Sequence, residues 1–260
     1  AISPDGPHLA IARCNAAATA AAQETEALRE QRFPYICLNP GASYRGLHDS
    51  LVNHLGNQTP EIITCMHEEH AVGIAQGYAK ITDKALAVAV HSNVGLMHAS
   101  MGVFNAWCDR VPMLILGATG PLDAAKRRPW IEWIHTTIDQ GSMVRGFTKW
   151  DDQPASPEAA VESIRRGVIL TNTAPSGPVY VNLDVSIQEQ KIDVRPTFDD
   201  ISHFPTPDNA EPPKAALAEA LGILSRAKRP FIFCGRGGRS EAEWNNRIKL
   251  AERLNARTAT

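Results

Sequence analysis

Four short segments of the 260-residue sequence combine residue types that can do chemistry, and each directly follows a run typical of a β-strand. They bring together carboxylates and imidazoles, which move protons near neutral pH, and glycines, which let a backbone approach a ligand closely. The segments are Asn39-Pro40-Gly41, His67-Glu68-Glu69-His70, His91-Ser92-Asn93-Val94-Gly95 and Gly117-Ala118-Thr119-Gly120-Pro121. The pattern favours acid–base catalysis or cofactor binding at these segments.

Each segment also has an ordinary structural explanation. Asn-Pro-Gly is a common turn, acidic residues in the first turn of a helix interact with the helix dipole, and a histidine after a strand is often simply hydrogen-bonded. The positions of the segments favour a function. In open α/β sheets ligands bind beyond the carboxyl ends of the strands, and all four segments would lie at that edge.

Two other motif assignments are weaker. The segment His67–His70 suggests a zinc helix, but the metalloprotease motif places its histidines four residues apart, whereas these are three apart and no third ligand is indicated. Gly235-Arg236-Gly237-Gly238 suggests a dinucleotide-binding loop, but Ser240 stands where the third glycine should be. We therefore expect no metal ligands within this chain. The sequence also lacks a phosphate-binding P-loop motif and a Gly-x-Ser-x-Gly nucleophile elbow.

The strands that must position these segments alternate with helical patterns. The predicted strands are Tyr35–Leu38, Glu61–Cys65, Ala85–His91, Pro112–Gly117, Arg145–Trp150 and Pro178–Asp184. The predicted helices are Tyr44–His54, Glu69–Ile81, Leu96–Trp107 and Ser156–Thr171. Ala85–Val90 is apolar throughout, as expected of a strand that is covered on both faces. The alternation predicts an α/β fold with a doubly wound, mostly parallel sheet.

A Pro- and Asp-rich passage divides the sequence into two predicted domains. We predict an α/β domain over residues 1–190, a linker over 191–212 and the start of a second α/β domain over 213–260. The second domain is predicted to contain, in order, Lys214–Arg226 (helix), Pro230–Cys234 (strand), Glu241–Leu254 (helix) and Arg257–Thr260 (strand). Because one β-α-β unit cannot bury both its faces, we expect this domain to be incomplete and the chain to be the N-terminal part of a longer protein.

The composition is that of a folded globular protein without a strong charge preference. Apolar residues make up 43% of the chain, and 26 Lys and Arg against 28 Asp and Glu give a formal net charge of −2. This excludes nucleic-acid binding through bulk positive charge, and no apolar run approaches the roughly 20 residues of a membrane span. The five cysteines are widely spaced without a Cys-x-x-Cys pair, so we expect buried free thiols and a cytoplasmic location.

The segment that begins at His67 resembles a motif of thiamine-diphosphate-dependent enzymes. His67-Glu68-Glu69-His70-Ala71-Val72-Gly73-Ile74-Ala75-Gln76-Gly77-Tyr78-Ala79-Lys80 is similar to the H-E-x-x-A-x-x-x-A-x-G-Y-A-[RK] segment of the acetolactate synthase and benzoylformate decarboxylase group. Asn39-Pro40-Gly41 resembles the family's turn beside the aminopyrimidine ring of the cofactor. His91-Ser92 with Gly95 is similar to benzoylformate decarboxylase, in which the matching histidine lines the active site. The likeness covers residues 33–190 as the pyrimidine-binding domain and 213–260 as the start of the middle domain.

The resemblance implies roles for named residues. Glu68, the first glutamate of the motif, would hydrogen-bond N1′ of the aminopyrimidine in a dry, apolar site, and Glu69 is the alternative. His91 would transfer a proton or bind the carboxylate of the substrate. The catalytic residues implied are Glu68 and His91. The cofactor-binding residues implied are Asn39, Pro40, Gly41, Glu68, Gly95 and His98.

Departures from the family pattern affect the substrate and the other end of the cofactor. Ala42 replaces a serine of benzoylformate decarboxylase, and Leu96-Met97-His98 replaces small residues followed by Asn. His135-Thr136-Thr137 lies near the place of the Phe-Gln-Glu motif of acetolactate synthases. Because no Gly-Asp-Gly motif is present, the resemblance implies that a domain outside this chain holds Mg²⁺ and the diphosphate. FAD in the middle domain is an alternative cofactor that the sequence does not support.

The resemblance implies a thiamine-diphosphate-dependent decarboxylase or carboligase that acts on a small-molecule 2-oxo acid. The alternatives are an acetolactate-synthase-like condensing enzyme and a non-catalytic α/β binding module, and the carboxylate at position 68 favours an enzyme. We expect the chain alone to be inactive and the active species to be a homodimer or homotetramer. On helix Leu96–Trp107, an apolar stripe is suited either to face that partner or to cover its own sheet. The stripe consists of Met97, Met101, Phe104 and Trp107.

Overall fold

The chain forms two compact units, residues 1–207 and 208–260, and the boundary falls inside the range 191–212 that the composition predicts as a linker. The structure, a computed structural model, describes residues 19–128, 134–192, 197–235 and 237–260. No helix in these ranges is long and apolar enough to cross a membrane.

A six-stranded parallel sheet forms the centre of the first unit. Its strands are β1 (Tyr35–Leu38), β2 (Glu61–Thr64), β3 (Leu86–Ala89), β4 (Met113–Thr119), β5 (Asp151–Asp152) and β6 (Pro178–Asp184). They lie in the order β2-β1-β3-β4-β6-β5, and every neighbouring pair is parallel. The prediction of a parallel α/β sheet is confirmed.

Helices cover both faces of this sheet. They are α1 (Ala20–Glu30), α2 (Arg45–Asp49), α3 (Glu68–Thr82), α4 (Ser92–Cys108), α5 (Pro157–Asn172) and the single turn α6 (Val185–Gln188). Helices α1, α2 and α5 share one core with Ile36 and Leu114, and α3 and α4 share the other with Cys37 and Ile115. Because alternate residues of a strand point to opposite faces, both sets must be apolar, which explains the uninterrupted apolar strands.

Local sequence signals explain where two helices begin. Ser156 caps α5 by accepting a hydrogen bond from the N–H of Ala159, and a proline occupies the first turn. His67 caps α3 through its ring Nδ1, which accepts the N–H of Glu69. This cap starts α3 immediately after β2, so that Glu68 lies at the carboxyl edge of the sheet.

The predicted strand Arg145–Trp150 is wrong. A 3₁₀ turn forms over Arg145–Phe147 instead, and the short strand β5 begins only at Asp151. The Arg145 guanidinium pairs with both Asp139 and Asp151, and these ion pairs hold the segment in a compact turn. Phe147 is partly buried because it packs on the core beside α4, and Trp150 is partly buried against the opposite core, so their burial does not indicate a strand.

One helical prediction differs from the structure, and one helix of the structure was not predicted. The segment Tyr44–His54 is divided into a 3₁₀ turn (Ala42–Tyr44), α2 and a π-helical turn (Ser50–His54). Helix α1 was not predicted at all. Its first residues are alanines, which are too small and too uniform to give a clear helical period of large apolar side chains.

Four of the five cysteines lie among the described residues, and all four are free thiols. Cys37 and Cys65 are buried as expected, whereas Cys108 and Cys234 are only partly buried. Burial raises the pKa of the Cys37 thiol, and the neighbouring Cys65 raises it further, so this thiol is unreactive at neutral pH. Cys14 lies outside the described residues.

The second unit contains the predicted elements in the predicted order. They are α7 (Lys214–Arg226), β7 (Phe231–Phe233), α8 (Glu241–Leu254) and β8 (Arg257–Ala259), and the two strands pair in parallel. Ser240 and Glu243 form a capping box at the start of α8. Phe231 and Phe233 are 60% and 72% exposed, so apolar side chains of this sheet remain uncovered within the described unit.

Candidate functional site

The predicted site residues lie at the carboxyl edge of the sheet in the first unit. Asn39-Pro40-Gly41 follows β1, Glu68 starts α3 after β2, and His91 follows β3. Gly95 and His98 lie in the first two turns of α4. Side-chain contacts join these residues into two groups, one around Glu68 and one around His91.

Glu68 is a buried carboxyl whose two oxygens have different surroundings. The residue is 4% exposed, and its Oε2 lies 3.2 Å from Nδ1 of His98. A Cβ atom at Gly95 would lie only 2.9 Å from Oε1, so glycine is needed to leave space beside that oxygen. His98 thus orients the carboxyl, and the Oε1 side stays narrow and free of side-chain bulk.

His67 adds a third ring to the Glu68 group. It stacks on His98, with ring centroids 4.6 Å apart and ring planes at 23°. Among the described residues, His67, Glu68 and His98 are the one group of three whose ligand atoms lie close enough to share an ion, all within 4.8 Å. Imidazole nitrogens suit Zn²⁺ better than Mg²⁺, which prefers oxygen ligands. Both Nδ1 atoms already have partners, however: the N–H of Glu69 and the carboxyl of Glu68.

His91 is the centre of the second group. Its Nδ1 lies 2.8 Å from Oγ of Ser43, and its ring centroid lies 4.9 Å from that of His135. Burial lowers the pKa of His91, proximity to His135 lowers it further, and the negative charge of Glu68 partly opposes both effects. His91 is therefore mainly neutral at pH 7, and it lies near enough to Glu68 for the two groups to interact.

The turn after β1 is built against His91. A Cβ atom at Gly41 would lie 2.5 Å from Cβ and Cγ of His91, so any side chain at position 41 would displace the imidazole. The Tyr44 hydroxyl donates a hydrogen bond to the carbonyl of Asn39, which anchors the start of the turn. Pro40 is exposed.

A cavity of about 200 Å³ lies beside His91. It is lined by Ala42, Ser43, His91, Gly120, Arg128, His135 and Val185. None of these described lining residues is acidic, and the arginine and two histidines suit an anionic group such as a carboxylate. Ser43, Arg128 and His135 were not among the predicted site residues. For Ser43, the available signal was its position two residues after the glycine of the Asn-Pro-Gly turn.

The Glu68 group fits the aminopyrimidine end of thiamine diphosphate. A buried carboxyl with one oxygen held and the other beside a glycine can hydrogen-bond a flat ring, and Gly41 leaves the nearby turn without a side chain. The described residues do not fit the diphosphate end in the same way. The one ligand group they contain has two imidazoles, and carboxylate and carbonyl oxygens are what Mg²⁺ requires.

Comparison with known proteins finds a family model and several relatives that match this chain. Residues 18–143 match the family model of the thiamine pyrophosphate enzyme, N-terminal TPP binding domain. The chain is 28% identical over 240 residues to the acetolactate synthase large subunit of Haemophilus influenzae, covering 88% of this chain and 39% of that protein. It is 23% identical over 192 residues to the benzoylformate decarboxylase of Pseudomonas aeruginosa, covering 73% of this chain and 35% of that protein.

The fold is similar to that of a solved benzoylformate decarboxylase from Polynucleobacter necessarius. The TM-score is 0.75 at 23% sequence identity, and the match covers 92% of this chain and 43% of that chain. The chain thus spans less than half the length of each of these relatives. All the predicted site residues lie inside the matched range 18–143. Residues 18–143 thus match the N-terminal TPP binding domain of the thiamine pyrophosphate enzymes, and the relatives of the chain include acetolactate synthases and a benzoylformate decarboxylase.

Proposed function

We propose that this chain supplies the aminopyrimidine-binding half of a decarboxylase or carboligase that acts on a 2-oxo acid. The observation that carries the proposal is the buried Glu68 carboxyl, oriented by His98 through one oxygen and bordered by Gly95 at the other. A carboxyl kept at this buried position, with one oxygen held by His98 and the other beside a glycine, favours an enzyme over a binding module that has lost its chemistry.

Each residue of the site has a defined task under this proposal. When bound, thiamine diphosphate supplies an electron sink for the carbanion that forms as a 2-oxo acid loses carbon dioxide. Glu68 shares a proton with N1′ of the aminopyrimidine, and its burial keeps that proton from water. Gly41 and Gly95 let the backbone approach closely, and His91 hydrogen-bonds the substrate. A domain outside this chain would hold Mg²⁺ and the diphosphate.

A condensation of two 2-oxo acids is the second candidate. The 28% identity to an acetolactate synthase large subunit supports it, and the carboxyl site described above serves both reactions. The basic cavity beside His91 also suits both, because both begin with binding of a carboxylate.

A substrate screen tests the proposal. The full-length gene product, supplied with thiamine diphosphate and Mg²⁺, should release carbon dioxide from at least one member of a panel of aliphatic and aromatic 2-oxo acids. Product analysis by NMR then separates simple decarboxylation from condensation. The control omits thiamine diphosphate. Absence of both carbon dioxide and condensed product across the panel would contradict the proposal.

Replacing His91 with alanine should reduce turnover. The loss expected is about 10²- to 10⁴-fold, the usual contribution of one positioned proton donor or acceptor. The measurement is kcat and KM on the best substrate from the screen. His203→Ala is the matched control, because His203 is an exposed histidine in the turn Ile201–His203 and belongs to neither group. Unchanged turnover in His91→Ala would reduce His91 to a structural residue.

The active species is proposed to be a homodimer or homotetramer that uses the stripe on α4. Met97 and Met101 are 55% and 57% exposed, and Phe104 and Trp107 are 41% and 39% exposed, so the stripe does not cover its own sheet fully. Exposed apolar patches of this kind mark interaction surfaces.

Substituting Met101 with lysine should convert this assembly to monomers. Light scattering at micromolar concentration should show at least a dimer for the unmodified protein and a lower mass for Met101→Lys. Ile81→Lys is the control, since Ile81 is 88% exposed at the far end of α3. A monomeric unmodified protein that is fully active would overturn the proposed assembly.

A further inference from the structure

We infer that Ser43 is a positioning residue that fixes the neutral tautomer of His91, so that the imidazole carries its proton on Nε2. The inference concerns a contact within this chain and does not depend on which 2-oxo acid is bound. Its consequence for catalysis rests on the proposed function.

The hydrogen bonds of the Ser43 hydroxyl support this tautomer. The backbone N of Ser92 lies 3.2 Å from Oγ of Ser43. Because an amide N–H can only donate, Oγ accepts this hydrogen bond. The same Oγ lies 2.8 Å from Nδ1 of His91. Within the described part of the chain, Nδ1 is the acceptor within reach of the serine proton. If Nδ1 carried the proton instead, the serine O–H would lose this acceptor. Donation from Ser43 to Nδ1 therefore satisfies both groups and leaves the imidazole proton on Nε2.

The local fold holds the Ser43 hydroxyl in place. Ser43 is 8% exposed and lies in the 3₁₀ turn after the Asn-Pro-Gly segment, and its carbonyl accepts a hydrogen bond from Nε2 of Gln188. Ser92 is fully buried and has a φ of +41°, a conformation that is rare for residues other than glycine. In this conformation the N–H of Ser92 donates to Oγ of Ser43. This hydrogen bond occupies one lone pair of Oγ and so helps to orient the hydroxyl.

Fixing this tautomer decides what His91 can do at the cavity. A neutral ring with Nε2–H presents a donor, which can hydrogen-bond a substrate carboxylate or deliver a proton. The opposite tautomer would present a lone pair at Nε2 and act as a base. Ser43 thus makes His91 a hydrogen-bond donor or proton donor at Nε2, and it excludes the role of a base at that atom.

Nitrogen NMR of the full-length protein without cofactor tests the inference. In a two-bond ¹H–¹⁵N correlation spectrum at neutral pH, His91 should show a protonated Nε2 and an unprotonated Nδ1. In Ser43→Ala the fraction with protonated Nδ1 should rise about fivefold or more, the factor expected for loss of one hydrogen bond. Ser43→Thr keeps a hydroxyl at this position and should restore the original spectrum.

Ser50→Ala is the matched control, since Ser50 is a buried serine whose hydroxyl has no partner among the described residues. It should leave the tautomer of His91 unchanged. Far-UV circular dichroism verifies that each variant is folded, and the spectrum of the unmodified protein is informative even if Ser43→Ala unfolds. A proton on Nδ1 in the unmodified protein, or an unchanged ratio in folded Ser43→Ala, overturns the inference. Because the readout needs no substrate, a failed substrate screen leaves it standing.

Discussion

Replacing Glu68 with glutamine should abolish the acceleration of C2 hydrogen exchange in bound thiamine diphosphate while leaving the fold intact. The amide has nearly the same size as the carboxyl, so the packing beside Gly95 is retained. The amide lacks the acidic proton that Glu68 shares with N1′ of the aminopyrimidine, so glutamine at this position cannot share a proton with that nitrogen. Hydrogen–deuterium exchange at C2, measured in the assembled full-length protein, should fall to the rate of the cofactor free in solution.

Glu69→Gln provides a control one residue away. Glu69 is exposed, follows Glu68 in the first turn of α3, and is the alternative that the motif leaves open. Its substitution should leave exchange at C2 unchanged. If Glu69→Gln stopped exchange and Glu68→Gln did not, the assignment of the two glutamates would be reversed, and Glu68 would only serve the start of the helix.

Replacing Glu24 with leucine should stabilise the first unit and remove a pH dependence. Glu24 lies in α1, is fully buried, and neither carboxyl oxygen has a hydrogen-bond partner among the described residues. Burial raises the pKa of its carboxyl from 4.5 to about 8. The folded chain therefore keeps this proton at neutral pH, and the unfolded chain releases it.

The sign of the effect follows from this difference in bound protons. Below pH 4.5 Glu24 is protonated in both the folded and the unfolded state, so it does not affect stability. Between pH 4.5 and about 8 the folded state binds more protons than the unfolded state, so the folded state loses stability as the pH rises. The loss is about 1.4 kcal/mol per pH unit, which amounts to about 3 kcal/mol at pH 7. Glu24→Leu should recover that amount at pH 7 because leucine carries no ionisable group.

Urea unfolding at pH 5 and pH 7 measures this prediction. The free energy of unfolding of the unmodified chain should fall between the two pH values by about 3 kcal/mol more than that of Glu24→Leu. Glu61→Leu, at an exposed carboxylate on β2, should follow the unmodified chain at both pH values. Parallel pH profiles for the unmodified chain and Glu24→Leu would show that Glu24 has a proton partner or that water reaches its carboxyl.

The centre of the sheet was predictable because β3 lies in the apolar run Ala85–Val90, which indicates a strand that is covered on both faces. Ser156 also marked the start of α5 correctly. The segment around Arg145 was not predictable in this way. Its turn depends on ion pairs with Asp139 and Asp151, and spacing in the sequence does not reveal such pairs.

The positions of the site residues were predictable, but most of their partners were not. A strand end followed by a helix start identifies Glu68 and His91 as residues of one edge. Glu68 and His98 are 30 residues apart in the sequence, and His91 and Ser43 are 48 residues apart. Which side chain of a helix or turn faces another element is decided by packing, so a single sequence does not specify these pairs.

The small sheet of the second unit has consequences for how this chain behaves in solution. Among the described residues, β7 and β8 pair only with each other, which leaves an unpaired backbone edge on each strand beside exposed phenylalanines. Such edges template the addition of further strands, and positive charge nearby opposes this by repulsion between copies. Lys228, Arg229 and Arg257 supply that charge at the strand starts. Salt screens it, so aggregation of the isolated chain should increase with ionic strength.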